Sequence, residues 1–362
     1  MGMTDKRGGE MPCYKPMIRC EELGKWTKAK DGHLYHPAKI FSSQNLEALN
    51  YYTKSTAYNN YQVIPCGNCI GCRLEYSREW ANRGYLEMQT SKNAWFVTLT
   101  YDDEHNFIPE EFITKDGFSF TDMNIENEYS WKGCLQPDDL VAFMKNLRQI
   151  FKREYNHEGI RFLACGEYGS KLKRPHYHLI LFNVPFPTDS FYKPRIDWEK
   201  NLYFQNKIIE RAWGNKGIIN ICEATWNTIS YVARYITKKI NGKESEIYYA
   251  VQGEIKEFFR TSRNNGIGYQ YFKDNMNNIY KTDTILIKNN KGIHYITPPS
   301  YYDKMYEKIN PEHMKQIKII RRKKAIDNLK KKALTTSLTA WEQLQVEQSY
   351  KSEKLLALKR EL

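Results

Sequence analysis

Arg174-Pro175-His176-Tyr177-His178 sets two imidazoles two residues apart. In an extended strand side chains alternate, so His176 and His178 fall on one face and Tyr177 on the other. The strand rise separates the rings by roughly 6–7 Å, close enough to share one divalent ion. Glu167 is expected on the connection before this strand, where a hairpin partner would return a carboxylate beside both rings. Two histidines and a carboxylate leave coordination positions open for water or substrate oxygens. Two surface histidines and a plain turn glutamate are the alternative reading of the same residues.

A second set lies on a predicted helix, Ser230-Tyr231-Val-Ala-Arg234-Tyr235-Ile-Thr-Lys238-Lys239. At 100° per residue, Tyr231, Tyr235 and Lys238 cluster within about 60°, with Ile229, Val232 and Ile236 on roughly the opposite side. The tyrosines are therefore expected off the apolar stripe, as two phenolic nucleophiles with a cation beside them. Arg234 beside the pair is suited to a flanking phosphate. A base-stacking or structural face is the alternative for tyrosines at this spacing.

Cys66, Cys69 and Cys72 form a C-x-x-C-x-x-C run. A tight cluster in a long chain without a secretion signal reads as metal ligands more readily than as disulfides. A closed tetrahedral zinc site needs a fourth ligand, for which Cys13 and Cys20 are the candidates. The set Cys66, Cys69, Cys72 and Cys13 would pin the N-terminal segment to the helix that starts near Arg73. Reduced, unliganded thiols or an iron–sulfur cluster remain the alternatives.

These groups must be carried by a largely globular frame, since 41% of the 362 residues are hydrophobic and 27% charged. No apolar run approaches the roughly 18 residues of a membrane span, and the first ten residues are polar, unlike a signal peptide. Fifty-five Lys and Arg against 42 acidic residues give a net charge of +13, which points to an anionic partner. Interleaved aromatics, 14% of the chain with 27 tyrosines, suit nucleic acid in particular. Arg174, Arg234 and Lys239 are the candidate DNA contacts.

Trp95 to Tyr101 reads as a strand and Arg73 to about Thr90 as a helix. Pro137-Asp138-Asp139 starts a helix whose apolar face is Leu140, Phe143, Met144, Leu147, Ile150 and Phe151. Ile160–Cys165, His176–Phe182 and Gly217–Cys222 are strands, and Trp226–Ile240 is a helix. Residues 102–136 read as a long acidic insertion. The predicted fold is α+β, a central antiparallel sheet flanked by helices, with the histidine strand near its middle and the tyrosine helix alongside. Four segments are expected: an irregular, partly extended arm with its cysteine cluster over 1–72; a core over 73–242; a small β-rich extension over 243–300; and a basic helical tail over 301–362. The tail holds 15 Lys and Arg and 8 acidic residues, a net of +7. No G-x-x-x-x-G-K-[ST] run occurs, so no P-loop ATPase is expected.

The order of Phe96-Val-Thr-Leu-Thr-Tyr101, Cys165-Gly-Glu-Tyr-Gly169, Arg174-Pro-His-Tyr-His178 and Tyr231-x-x-x-Tyr235-x-x-Lys238 resembles rolling-circle replication initiators of the HUH endonuclease superfamily. It looks most like those of the Microviridae, the gokushovirus type in particular. Pro65 to Arg73, Gly266-Ile-Gly268 and Pro298 to Asp303 extend the likeness over most of residues 60–305. Arg234 departs from the pattern, since many initiators carry Lys between the tyrosines; the charge is kept.

The resemblance implies an RRM-like nuclease core that nicks and rejoins single-stranded DNA at a phage origin in the host bacterial cytoplasm. His176, His178 and Glu167 would hold Mg²⁺ or Mn²⁺, and Tyr231 or Tyr235, beside Lys238, would form a 5′-phosphotyrosine. Strand separation would fall to a host helicase. An HUH transposase or plasmid initiator is the rival of the same chemistry. A non-enzymatic, zinc-stabilised single-strand or origin binder is the rival from another class.

Overall fold

A computed structural model of the chain describes residues 13–357 apart from 25, 29–33, 36, 46, 49–50, 52–53, 55–57, 106–110, 114–118, 122–132, 170–172, 198–200, 239–248, 250–254 and 290–291. The chain divides into two compact units, one of Met1–Tyr76, Asp283–Ile285 and Thr297–Leu362, the other of Ser77–Thr282 and Leu286–Ile296.

In the first unit β1 (Met17–Glu22) lies between β2 (Ala38–Ser42) and β3 (Tyr58–Ile64), antiparallel to both. The irregular arm expected here is thus partly a three-stranded sheet. Its strands are poor in buried apolar residues, with only Cys20 buried in β1 and Phe41 in β2. Backbone pairing, rather than a hydrophobic alternation that a sequence would reveal, defines them.

The second unit is built on one seven-stranded sheet. Helix α1 (Ile70–Thr90), which crosses the division between units, leads into β4 (Ala94–Thr100). Next come α2 (Pro137–Tyr155), β5 (Arg161–Tyr168), β6 (Pro175–Phe182), β7 (Phe191–Ile196), β8 (Leu202–Asn206), α3 (Lys207–Trp213), β9 (Ile219–Glu223), α4 (Trp226–Lys238), β10 (Phe258–Thr261) and α5 (Tyr269–Thr282). The sheet order is β7-β8-β9-β4-β6-β5-β10, and every neighbouring pair is antiparallel. The α+β class and the interior placement of the histidine strand agree with the sequence reading.

Period-2 alternation gives the sheet two apolar faces. Val97, Leu99, Tyr177, Leu179 and Leu181 share one core with Leu140, Phe143, Met144, Leu147 and Phe151 of α2 and with Ile208, Ile209 and Trp213 of α3. Phe96, Leu163, Cys165, Ile180 and Phe182 share the other with Ile229, Val232 and Tyr235 of α4. Helix α2 keeps the start its sequence announces, Pro137 in the first turn with Asp138 and Asp139, and ends at Asn156 in the left-handed conformation. Helix α3 is capped by Asn206, whose side chain accepts from the Ile208 and Ile209 amides.

Helix α5 falls where Asn- and Gly-rich composition suggests only short strands and turns. Its buried Phe272, Ile279 and Tyr280 recur at helical spacing among six intervening polar or weakly apolar positions. Within the β-rich extension expected over 243–300, the strands Ile285–Asn289 and Gly292–Ile296 pair as a two-stranded sheet.

The tail, in the first unit, is helical: α6 (Ser300–Ile309), α7 (Pro311–Ala333) and α8 (Ala340–Ala357). Arg321, one of the tail's 15 Lys and Arg residues, is buried, with Nη1 2.7 Å from Asp303 and Nε 2.8 Å from Asp283. Among the described residues no helix is long and apolar enough to cross a membrane.

Candidate active site

Strand β6 delivers its histidines as alternation requires. Tyr177 points into the α2 face, where its hydroxyl lies 2.8 Å from that of Tyr101 and donates to the Gln136 carbonyl. His176 and His178 face the other way, with ring centroids 6.2 Å apart. Glu167 is not on a connection. It is the seventh residue of β5, directly across from His176, because the hairpin closes later, through Gly169 and Arg174. From there its Oε1 sits 3.0 Å from His178 Nε2, and both side chains are almost fully buried.

The neighbouring strand fixes both rings. Thr98 pairs with His178 and Thr100 with His176 in register. Each threonine Oγ1 lies 3.0 Å from the Nδ1 of its histidine. Both Nε2 atoms are thereby left as the outward nitrogens, the arrangement by which outer hydrogen bonds orient metal-ligating imidazoles. Gly169 gives the site its room, since a Cβ there would stand 3.0 Å from His176 Nε2. The period-2 run Phe96-Val-Thr-Leu-Thr contained this signal: a threonine at every second position facing a histidine at every second position.

Helix α4 closes the site from above. Tyr235 stacks on His178 with centroids 5.2 Å apart and planes 16° from parallel. Tyr231 meets the same ring edge-on, also at 5.2 Å, and Phe96 stacks at 5.8 Å. The two phenols touch each other, Tyr235 donating a hydrogen bond to the Tyr231 oxygen. The tyrosines are therefore not opposite the apolar stripe as expected. Tyr235 is buried at its margin with Ile229 and Val232, and Tyr231 is half-buried against the same cluster. The helical wheel separated Tyr235 from Val232 by only about 60°, and a wide sheet covers both positions.

Burial pushes both phenols well above the ordinary tyrosine value. The Glu167 charge adds to the rise at each, while Arg234 and the bond from Tyr235 oppose it at Tyr231. Arg234 is exposed, with its guanidinium 5.9 Å from the Tyr231 ring. Arg174 turns to Asp103 and to the Tyr101 carbonyl, 3.3 Å away. The side chain of Lys238 and the whole of Lys239 lie outside the described residues.

In the other unit, the sulfur atoms of Cys13, Cys66, Cys69 and Cys72 all lie within 4.8 Å of one another, the one such metal-ready group among the described residues. Cys20 is elsewhere, its thiol 3.7 Å from the Lys39 carbonyl. The amides of Cys66, Tyr14 and Cys69 each lie 3.3 Å from a cluster sulfur, of Cys13, Cys69 and Cys66 respectively. Such donors favour thiolates, the form that binds metal. Contact with Cys69 pushes the Cys13 thiol up to about 12, while contacts with Cys13 and Cys72 hold Cys69 far below the usual thiol range. This four-cysteine cluster can hold a metal ion such as zinc.

The family model of the replication-associated protein ORF2/G2P matches residues 94–240, which span β4 to the end of α4 and so carry every residue of the histidine–tyrosine site. The replication-associated protein ORF2 of Spiroplasma virus 4 is 39% identical over 254 residues, 69% of this chain and 70% of that protein. The replication-associated protein VP4 of Bdellovibrio phage phiMH2K is 29% identical over 255 residues, 69% of each. The replication-associated protein ORF4 of Chlamydia phage 1 is 24% identical over 66% of this chain and 53% of its own length. No solved structure matches the chain. With that identity to the Spiroplasma virus protein sustained over more than two thirds of both chains, this chain belongs to the family of phage replication-associated proteins.

Proposed function

We propose that the chain starts phage DNA replication in the host cell by nicking and rejoining single-stranded DNA at an origin, as an HUH-type endonuclease. The observation that carries this reading is the contact of two phenols, one helical turn apart, with a histidine whose Nε2 meets a buried carboxylate. In the attack step a tyrosine oxygen bonds to the scissile phosphorus and the bond to O3′ breaks. The phenol proton passes to solvent, and the departing oxygen takes up a proton as a free 3′-hydroxyl. Rejoining reverses the exchange, so the phosphodiester energy stays in the phosphotyrosine and no ATP is needed.

We read His176, His178 and Glu167 as the ligands of a divalent cation, although they do not stand as close together as the four cysteines do. His176, His178 and Glu167 share one face, and their outward nitrogens are selected by Thr100 and Thr98. A bound Mg²⁺ or Mn²⁺ would supply Lewis-acid polarisation of the scissile phosphate. The rings of Phe96 and Tyr235 fix the plane of His178, and Arg234 offers a cation to flanking phosphates. Cys13, Cys66, Cys69 and Cys72 would hold a structural Zn²⁺. A host helicase would separate the strands.

The test is a covalent protein–DNA adduct that survives denaturation on an origin oligonucleotide. His176→Ala and His178→Ala should abolish the adduct while DNA binding persists, and Tyr231→Phe with Tyr235→Phe together should give none. Adduct formation by the double variant would place the nucleophile elsewhere. DNA binding with no adduct from the unsubstituted protein, in Mg²⁺ or Mn²⁺, would favour a non-enzymatic origin binder.

A further inference from the structure

On the sheet face opposite the histidines, an open groove of about 380 Å³ runs between α2, β5 and the edge strand β10. Alternation separates it from the site above: Phe162 and Arg260 project with Ala164 toward α2, whereas Leu163 and Cys165 face the tyrosine helix. Its floor is apolar, with Val141, Met144 and Phe162, and Val141 is left half exposed. Its cations are Lys145, Arg148, Lys152 and Arg260, and none of its lining side chains among the described residues is a carboxylate.

Two of those cations are held in place by the backbone. Arg148 Nη2 and Nε lie 3.2 and 3.4 Å from the Ile160 carbonyl, with the guanidinium 5.7 Å from the Phe162 ring. Arg260 Nη1 lies 3.2 Å from the Pro137 carbonyl. A guanidinium has five donors, so each keeps several for another acceptor. Lys145 is exposed on the rim, and Lys152 pairs with the equally exposed Glu158, at 2.7 Å. An exposed pair of that kind yields readily to a competing anion. Burial and the nearby Arg161 both work against the Arg148 charge, which a bound anion would relieve.

An apolar floor flanked by fixed and mobile cations matches one chemistry closely: bases laid on the floor with phosphates against the rim. We propose that this groove binds single-stranded DNA without regard to sequence, as a second contact separate from the strand held for cutting. The charge pattern favours a polyanion with apolar faces. The inference rests on the chain handling DNA, as its family membership supports, and is independent of tyrosine chemistry.

The test is fluorescence anisotropy of the full-length protein with labelled oligo(dT), which contains no origin, across a salt series. Lys145→Glu with Lys152→Glu should weaken binding at least about tenfold and reduce the salt slope by about 1.4, at about 0.7 per phosphate contact on a single strand. Val141→Glu, at a half-exposed position where folding tolerates a carboxylate, should weaken binding through the floor. Lys193→Glu with Lys207→Glu, exposed lysines outside the groove, carries the same change of net charge. An equal loss in that control would show net charge alone at work and overturn the proposal, as would unchanged affinity and slope in the groove variants. Retained oligo(dT) affinity with lost binding of an acidic peptide would instead assign the groove to a protein partner. Because oligo(dT) is never cut, these results stand whether or not the tyrosines are nucleophiles.

Discussion

Removing the two threonine hydroxyls separately should expose how the histidines are held. Thr98→Val and Thr100→Val are close in shape and suit a strand, so the sheet should persist with little change in thermal midpoint. Each takes away one 3.0 Å contact to a histidine Nδ1. Loss of such an outer partner ordinarily lowers metal affinity or activity 10- to 100-fold, about 1.4–2.7 kcal/mol. The two sites differ in what else restrains the ring. His178 is stacked by Phe96 and Tyr235 and bonded to Glu167, so its plane survives without Thr98. His176 is only half-buried, more open to solvent than His178, and the His178 ring lies 6.2 Å from it. Thr98→Val is thus expected near the tenfold end and Thr100→Val near the hundredfold end. Nicking of an origin oligonucleotide titrated with Mn²⁺ measures both, through the metal concentration at half-maximal rate. Wild-type metal dependence in Thr100→Val, or a larger defect in Thr98→Val, would refute the orienting role.

Tyr231, the more exposed phenol and the acceptor of the Tyr235 hydrogen bond, should make the first cut; Tyr231→Phe should then lose first-round adduct on a single-origin substrate while Tyr235→Phe retains part of it. Zinc measured by mass spectrometry should co-purify with the chain and drop in Cys69→Ser, which also should lower the melting temperature. Arg321→Ala should destabilise the tail by about 3–5 kcal/mol by taking the guanidinium from the buried Asp303 carboxylate, as urea denaturation would read. Substituting the exposed Arg322, Lys323 and Lys324 with Ala should instead leave stability unchanged and flatten the salt dependence of DNA binding. Burial holds Tyr101, Tyr177, Tyr231 and Tyr235 protonated above their ordinary value of 10.0. The unfolded chain ionises them first, so their contribution to stability is complete below pH 10 and is lost as pH rises beyond it; urea midpoints that stay flat from pH 9 to 11 would contradict this.

The histidine pair, its shared face and the apolar face of α2 were legible because each follows from a period, two for a strand and 3.6 for a helix. Glu167 was found by type but misplaced by setting, since the strand runs on through Gly166 and Glu167, and glycine reads as a strand end. The inward position of Tyr235 was not legible. A helical wheel ranks residues by angle, whereas the width of the buried arc depends on the partner, here a broad sheet. The N-terminal strands and α5 were hidden for a related reason: their pairing or packing rests on few apolar side chains. Ion pairs such as those of Arg321 with Asp283 and Asp303 join residues 38 and 18 positions apart, and no local pattern announces them.

Strand β6 carries two obligations at once. Its odd positions, Tyr177, Leu179 and Leu181, belong to the core with α2, and its even positions carry both histidines and then Ile180 and Phe182. A slip of one residue would bury the imidazoles under α2 and turn the core residues toward the tyrosines, so the register that folds the sheet also assembles the site. Both neighbours enforce that register through side chains as well as backbone: Thr98 and Thr100 from β4, Glu167 from β5. Helix α4 adds the constraint from above, since Tyr235 can stack only on a ring presented at the position of His178. Packing energy and the geometry of the candidate site are therefore the same set of contacts. Substitutions that loosen the α4 face, Ile229→Ala or Val232→Ala, should displace the phenols from His178 before they unfold the sheet.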